Sequence, residues 1–259
     1  NGINGISIDD RTIRTGDLFI ALVGDKFDGH NYIESAFSKG ACGILASNIR
    51  LAKKYEGLFV RDTKKALTQI AIFARDRFKG VTIGITGSSG KTSTNYLLSN
   101  SLKKFGKTHK TFGNNNNIIG LSLTLSRLPH DHDFCVLELG MNNTGEIREL
   151  AKIAKPDIAL ITNVSNSHIQ NFKNESEIAR EKSEMFFVNC IVVFLDLTKP
   201  ASSMQKPQAI NITKKPPIKN NKELKTNTLC SGTPCANEGL PMDTTKVVNS
   251  SIFRAFVIL

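Results

Sequence analysis

The stretch VTIGITGSSGKTSTNYLLSN, residues 81–100, decides the fold because it joins an apolar, β-branched run to a glycine-rich turn and then to a helical pattern. The common phosphate-loop spelling G-x-x-x-x-G-K-[ST] does not fit, since Ile85 stands where that pattern has its first glycine. Two glycines nevertheless flank the turn, and Lys91 and Thr92 follow it directly. A strand that runs through such a turn into a helix presents free backbone N–H groups to an anion. We therefore interpret the turn as a phosphate-binding loop rather than a structural Gly/Ser turn.

Each residue of this loop has a physical reason to be there. Glycines let phosphate oxygens approach the backbone, Lys91 offers a positive charge to the β- and γ-phosphates, and the Thr92 hydroxyl suits Mg²⁺. The predicted ATP-binding residues are Thr86, Gly87, Ser88, Ser89, Gly90, Lys91, Thr92 and Ser93.

The rest of this region alternates apolar strands, FCVLEL and IALITNV, with helical segments, which predicts a parallel sheet covered on both faces by helices. Ligands of such sheets bind at the carboxyl ends of the strands. Glu138 ends one of these strands and is interpreted as a Mg²⁺ ligand, with capping of the following loop as the alternative. His168 lies beyond the end of another, where it is either a metal ligand or an ordinary loop residue.

The chain divides into three regions by composition. Residues 1–79 form a small α/β domain, with strands in DLFIAL, GILAS and GLFVRD and helices near residues 32–39 and 64–78. Residues 80–187 form part of an ATP-binding domain whose first helix is predicted to bury Leu97, Leu98 and Leu102 on one face. Residues 188–259 are polar and interrupted by prolines, so we expect a largely disordered tail, apart from one buried strand in CIVVFLDL.

The composition excludes several classes of protein. The 259 residues are 40% hydrophobic, without an apolar run long enough for a membrane span or a signal peptide at the start. The five cysteines show no CxxC spacing, so we expect a cytoplasmic protein in which Cys42 and Cys135 are buried thiols. The net charge of +11 is scattered among acidic residues, which favours anionic small molecules over nucleic acid. We expect a monomer.

Five motifs follow one another in an order that closely resembles the Mur ligases, ATP-dependent enzymes that build the peptide of bacterial peptidoglycan. The motifs are GITGSSGKTST, TFGNNNNIIGLSLTLSRL, VLELGMNNTGEI, KPDIALITNVSNSHIQNF and AREKSEMF. The phosphate loop of that family is spelled T-G-x-x-G-K-[TS], which removes the mismatch at Ile85. The Asn-rich motif and ELGMNNTGEI look most like the branch that adds D-alanyl-D-alanine to UDP-N-acetylmuramoyl-tripeptide.

The resemblance implies roles for further residues. The front domain would bind the uridine nucleotide, and the Asn-rich loop would contribute to the substrate site; the implied substrate-binding residues are Ser7, Asp9, Arg11, Asp28, Gly29, His30, Asn114, Asn116 and Asn117. The implied metal ligands are Thr92, Glu138, His168 and Lys182, the last as a carbamate, and the implied catalytic residues are Lys91, His168 and Lys182. Without the resemblance, Lys182 would be interpreted as a solvated helix lysine. Asn115 and Ile118 depart from the usual family residues.

By the same resemblance, ATP phosphorylates the carboxylate of the tripeptide with the help of Mg²⁺, and the amine of D-alanyl-D-alanine attacks the acyl phosphate. The resemblance ends near residue 187, and nothing in the tail matches the third domain of the family. A remnant that binds nucleotide without turnover and another Mur-type amide ligase are therefore alternatives. An unrelated P-loop kinase or NTPase is disfavoured because DHDFCVLELG offers no aspartate at the strand end.

Overall fold

A computed structural model of the protein describes residues 2–165, 172, 174–187 and 191–194. Within this part of the chain, no helix is both long and apolar enough to cross a lipid bilayer.

The first domain is a four-stranded parallel sheet with the order β1-β2-β3-β4. Its strands are β1 (Gly5–Ser7), β2 (Asp17–Ile20), β3 (Gly43–Ala46) and β4 (Leu58–Phe59). The helices are α1 (Ile33–Ser38), α2 (Ile49–Lys54) and α3 (Thr63–Arg77), and short 3-10 turns cover Asp10–Thr12 and Gly29–Tyr32. The strands and helices predicted for residues 17–78 are present. The first strand, β1, has only three residues, too few for the sequence pattern to reveal it.

The second domain is a five-stranded sheet in which every strand pair is parallel, as predicted, with the order β6-β7-β5-β8-β9. Its strands are β5 (Val81–Thr86), β6 (Thr108–Lys110), β7 (Phe134–Glu138), β8 (Ile158–Ile161) and β9 (Ile191–Phe194). Its helices are α4 (Lys91–Leu102), α5 (Ile118–Ser126), α6 (Glu146–Ala154) and α7 (Glu175–Ser183), and a 3-10 turn covers Glu184–Phe187.

The central position of β5 brings three strand ends together. Ile85 pairs with Glu138 of β7 on one side and with Leu160 of β8 on the other. The phosphate loop therefore begins beside the carboxyl ends of both neighbours, as the sheet rule requires.

Strand β9 pairs with β8 and extends the second sheet beyond residue 187, where the sequence pattern placed the end of the domain. The strand predicted in CIVVFLDL is thus present over Ile191–Phe194. The rest of the tail lies outside the described residues, and its expected disorder stays a prediction.

Helices α3 and α5 contribute to the cores of both domains. Leu67 of α3 and Leu123 of α5 pack with the first sheet, whereas Ala71, Leu121 and Leu125 pack with the second. The two sheets are therefore connected by shared apolar packing as well as by the chain itself.

Two predictions of burial were wrong. Leu98 and Leu102 are buried as expected, but Leu97 is 51% exposed, because a residue adjacent to Leu98 is turned about 100° from it around the helix axis. Cys135 is buried, but Cys42 is exposed just before β3, with its Sγ 3.0 Å from the Gly16 carbonyl oxygen.

Candidate active site

The phosphate loop needs glycine at both of its ends. Gly87 has φ of +150°, and a Cβ placed there would lie 1.9 Å from Oγ1 of Thr162. Gly90 has φ of +79° and is the N-cap of α4. Left-handed or crowded backbone of this kind is open to glycine and costly for other residues.

The loop is fastened to the residues that follow β8. The Ser89 N–H donates to Oδ1 of Asn163 over 2.8 Å, and Nδ2 of Asn163 donates to Oγ of Ser89 over 2.7 Å. The Ser88 hydroxyl donates to the Ser165 carbonyl oxygen and accepts from the Ser165 N–H, each over 2.9 Å. Thr162 Oγ1 donates to the Ser89 carbonyl oxygen. These bonds hold the loop against the segment that follows β8.

Lys91 occupies the interior of the loop. Its Nζ donates to the carbonyl oxygen of Gly87 over 2.7 Å. Burial lowers the pKa of Lys91, while the charge of Glu138 opposes this shift. Nearby, the Oγ1 of Thr86 is buried and has no hydrogen-bond partner among the described residues. A buried hydroxyl without a partner is uncommon and is consistent with a ligand or water at this position.

Glu138 is only 1% exposed, an unusual position for a carboxylate. Its Oε2 accepts a 3.0 Å hydrogen bond from the Thr92 hydroxyl, and its Oε1 accepts a 3.1 Å bond from Nδ2 of Asn116. These donors are side chains from other elements, and among the described residues no backbone N–H of the following loop reaches the carboxylate. Among the described residues the carboxylate therefore does not cap the following loop, and its role as a metal ligand stays a prediction.

Lys182 is 1% exposed, so it is not the solvated helix lysine of the alternative interpretation. Burial and the nearby charge of Lys91 lower its pKa to about 8, and Glu181 counteracts part of this shift. An amine with this pKa is neutral in about a tenth of molecules at pH 7.

Helix α7, which carries Lys182, is fixed to the amino end of α6. Oε1 of Glu181 accepts hydrogen bonds from the N–H groups of Gly145 and Ile147. Arg148 forms two hydrogen bonds with the Glu184 carboxylate, of 2.6 and 2.8 Å. These contacts, which the sequence analysis missed, hold Lys182 in the interior near Lys91.

The residues present suit a hard divalent cation. Thr92 and Glu138 offer a hydroxyl and a carboxylate oxygen close together, the type of ligand that Mg²⁺ prefers alongside phosphate oxygens and water. Within the described ranges no three His, Cys, Asp or Glu side chains cluster as a complete metal site. His168, the other predicted ligand, lies outside the described residues.

Ser7 ends β1, and Asp9 and Arg11 follow it closely in the next turn. The buried Ser7 hydroxyl donates to the Asp9 carbonyl oxygen over 2.9 Å, so it shapes the turn rather than facing solvent. Arg11 pairs with the Asp9 carboxylate over 2.7 Å, with its side chain 81% exposed, and its hydrogen bond lowers the pKa of Asp9. The guanidinium is paired with Asp9 and still faces solvent, so an anionic ligand can reach it.

His30 connects two loops of the first domain. Its Nε2 accepts hydrogen bonds from the N–H groups of Ser47 and Asn48, at 3.0 and 3.2 Å. The proton is therefore on Nδ1, which donates to Oδ1 of Asp28 over 2.6 Å. These loops border an open cavity of about 490 Å³ lined by Val23, Asp28, His30, Ser47, Asn48, Ile49 and Arg50. Of these lining residues, the sequence analysis predicted only Asp28 and His30. Ser47 and Asn48 were missed because a Ser-Asn pair before a helix ordinarily indicates an N-cap and not a binding site.

Gly29, between these two residues, has a structural reason of its own. A Cβ there would lie 2.7 Å from the carbonyl oxygen of Leu22, so only glycine fits. This close packing brings the Asp28 to His30 turn against the end of β2.

The predicted Asn residues separate into different roles. Asn114 is exposed, and Asn116 binds Glu138 as described above. Asn117 is the N-cap of α5, since its Oδ1 accepts from the Gly120 N–H over 2.9 Å. The structure thus brings Asn116 to the phosphate-loop site, whereas the Asn114 side chain has no hydrogen bond among the described residues.

This arrangement, a phosphate loop on the central strand beside a buried carboxylate and a buried lysine, agrees with the comparison with known families. Residues 85–228 match the family model described as the Mur ligase middle domain, and residues 2–75 match that of the Mur ligase family, catalytic domain. The chain belongs to the Mur ligase family.

Similar proteins within the family include several UDP-N-acetylmuramoyl-tripeptide--D-alanyl-D-alanine ligases. The protein of that name from Synechocystis sp. is 44% identical over 185 residues, which are 71% of this chain and 41% of the relative. The Bacillus subtilis protein of the same name is 39% identical over 185 residues, which are 71% of this chain and 40% of the relative. The chain thus spans about two fifths of the length of these relatives.

Solved structures lead to the same branch. The structure of MurF from Acinetobacter baumannii matches with a TM-score of 0.66 and 33% identity, over 74% of this chain and 43% of that one. The structure of MurF ligase from Thermotoga maritima in complex with ADP matches with a TM-score of 0.65 and 33% identity, over 76% of this chain and 47% of that one.

Proposed function

We propose that this chain supplies the nucleotide-sugar and ATP sites of a ligase that adds D-alanyl-D-alanine to UDP-N-acetylmuramoyl-tripeptide. The observation that carries the proposal is the contact between Thr92 of the phosphate loop and the buried Glu138. Similarity to ligases of that name, and to one solved with ADP, supports the choice of substrates.

The phosphate loop binds the ATP phosphates in this proposal. The loop N–H groups and the amino end of α4 face the anion, and Lys91 exchanges its bond with the Gly87 carbonyl for one with the β- and γ-phosphates. Phosphoryl transfer to a carboxylate brings two anions together, so binding and charge neutralisation are the main requirements.

Thr92 and Glu138 would hold Mg²⁺, with His168 at a second position by family resemblance. The cation would neutralise charge on the phosphate oxygens during transfer. Asn116, through Oε1 of Glu138, keeps that carboxylate oriented toward Thr92.

Lys182 would act as a carbamate. The neutral amine is the form that reacts with CO₂, and the pKa of about 8 makes that form accessible near neutral pH. Carbamylation replaces the buried cation of Lys182 by an anion, which removes its repulsion with the half-buried ammonium group of Lys91. Asp9, Arg11, Asp28 and His30 would serve the uridine nucleotide in the first domain.

The phosphorylated tripeptide would then react with the amine of D-alanyl-D-alanine to give the amide, ADP and phosphate. Such an ATP-dependent reaction on a UDP-linked substrate belongs to the cytoplasm, and we expect the protein to act as a monomer on small molecules.

The test is to incubate the purified chain with Mg²⁺-ATP and to measure ADP with and without UDP-N-acetylmuramoyl-tripeptide. Hydroxylamine traps an acyl phosphate as a hydroxamate, which mass spectrometry detects. The proposal predicts tripeptide-dependent ADP and a hydroxamate of the tripeptide. ADP formation that ignores the tripeptide would favour an unrelated NTPase, and binding of both ligands without ADP would favour a non-catalytic nucleotide-binding protein.

A further inference from the structure

The loop at the amino end of helix α5 contacts the ATP site, and the residue after its carboxyl end contacts the first domain. At the amino end, Asn116 donates to Glu138. At the carboxyl end, Nε of Arg127 donates to the carbonyl oxygen of Ile6 over 2.6 Å. The nine residues of the helix, Ile118–Ser126, span roughly 13 Å.

The Ile6 carbonyl matters because β1 is an edge strand, which pairs only with β2 within the part of the chain that the structure describes. Backbone groups on the open side of an edge strand need another partner or water. Arg127 supplies that partner from the second domain. The residue after Ile6 is Ser7, whose buried hydroxyl bonds the turn that contains Asp9.

Helix α5 is fixed along its length as well as at its ends. Ser122 Oγ lies 3.3 Å from Oγ1 of Thr68 on α3, and the Thr124 carbonyl oxygen lies 2.8 Å from Nε2 of His109. Leu121 and Leu125 pack in the core of the second domain, and Leu123 packs in that of the first. The helix is therefore held on both sides and is a rigid link between the two sites.

We propose that Arg127 is a positioning residue, which acts through Ile6 and Ser7 to hold the nucleotide-sugar site at a fixed distance from the ATP site. This inference rests on the proposed function. The rate of group transfer between two bound substrates is sensitive to misplacement of about 1 Å, so the reaction needs a defined distance between the two sites.

The chain offers a matched control in Arg77. Its Nη2 donates to the carbonyl oxygen of Leu128 over 2.9 Å, which is also an arginine-to-backbone bond near the end of α5. That bond joins α3 to the segment after α5 and does not involve β1. Arg77→Ala thus removes a similar bond without releasing the substrate-binding strand.

The first measurement needs no ligand. Hydrogen exchange of the Gly5–Ser7 amides should become about tenfold faster in Arg127→Ala, remain unchanged in Arg77→Ala, and recover in part in Arg127→Lys, which restores one donor. Unchanged exchange at Gly5–Ser7 in Arg127→Ala would overturn the inference, whatever the chain binds.

The second measurement is calorimetric titration with a non-hydrolysable ATP analogue and Mg²⁺, with and without saturating UDP-N-acetylmuramoyl-tripeptide. In the unaltered chain and in Arg77→Ala, the tripeptide should change the affinity for the analogue by about fivefold or more, the usual range for coupled sites. Arg127→Ala should bind the analogue alone normally but lose this coupling. Coupling that persists in Arg127→Ala would overturn the inference. A chain that binds neither ligand would refute the proposed function, and the role of Arg127 would then be decided by the hydrogen-exchange measurement.

Discussion

The Thr92 hydroxyl donates a 3.0 Å hydrogen bond to Oε2 of Glu138, although 46 residues separate them in sequence. Thr92 follows the central strand and Glu138 ends the neighbouring one, so the parallel register of β5 and β7 brings them together. The buried carboxylate receives its hydrogen bonds from neutral donors and interacts with the charge of Lys91, and we propose that it binds Mg²⁺ when ATP is present.

Replacing Glu138 by Gln should therefore weaken binding of a Mg²⁺-ATP analogue by about 10- to 100-fold, since contacts to a charged group are worth about 1.5–3 kcal/mol. The ligand-free protein should change little in stability, because the cost of burying a charge is removed together with the attraction of that charge to nearby Lys91. Glu149→Gln makes the same charge change on the exposed face of α6 and should leave affinity unchanged. Calorimetry checks affinity and thermal unfolding checks stability; an unaltered affinity in Glu138→Gln would exclude it as a metal ligand.

Substituting Ala for Gly87 should abolish nucleotide binding and lower stability by about 1–3 kcal/mol through backbone strain and the collision with Thr162. Gly113→Ala is the control, since Gly113 has φ of +57° but nothing within 4 Å of an added Cβ. It isolates the cost of the backbone conformation from that of the collision. If the two variants unfold at the same temperature in a thermal scan, the collision with Thr162 does not contribute to the loss of stability in Gly87→Ala.

His109 should make stability depend on pH. Burial lowers its pKa below the ordinary value of 6.5, and the hydrogen bond to the Thr124 carbonyl opposes this shift. Below about pH 6.5 the unfolded chain binds a proton that the folded chain does not, so stability falls as the pH drops through this range. The difference in urea midpoint between His109→Gln and the unaltered protein should therefore change between pH 7 and 5.5 in favour of the variant. His130→Gln, at an exposed position, is the control, and an equal pH response in all three proteins would contradict this account.

Arg75 should be a main contributor to the contact between the domains. This buried side chain donates to the carbonyl oxygens of Ala154 and Lys155, at 2.8 and 2.6 Å, and pairs with Asp157. Arg75→Ala should cost about 2–4 kcal/mol, because it leaves several acceptors without their charged donor. Arg77→Ala, which removes one bond, should cost about 1 kcal/mol. Urea unfolding measures both, and equal costs would show that the buried contacts of Arg75 are replaced by water.

The sequence predicted the second domain well where strong local patterns agreed. The pattern of residues 81–92 correctly predicted β5, the turn after it and the start of α4, and the apolar run ending in Glu138 correctly predicted β7. Weak patterns failed: β1 and β6 have three residues each, too few for a period of two to stand out. Leu97 was wrongly assigned to the buried face because three leucines within six positions blur the helical period.

The contacts of the candidate site were beyond sequence reasoning for a different reason. Glu181 caps a helix that begins 35 residues earlier, and His30 binds two backbone groups of another loop. Such pairs depend on tertiary packing and carry no local signal. The burial of Lys182 is the clearest case, because a lysine in a charged helical segment ordinarily faces solvent.

The most direct test of the account is calorimetric titration of the chain with a Mg²⁺-bound, non-hydrolysable ATP analogue, compared between the unaltered protein, Lys91→Ala and Lys103→Ala. Lys91 lies inside the phosphate loop, whereas Lys103 is exposed at the other end of the same helix. The account predicts binding by the unaltered chain and by Lys103→Ala, an affinity about 10- to 100-fold weaker in Lys91→Ala, and equal thermal stability of all three proteins. Equal affinity in Lys91→Ala, or no binding by the unaltered chain, would contradict the assignment of residues 86–93 as an ATP phosphate loop.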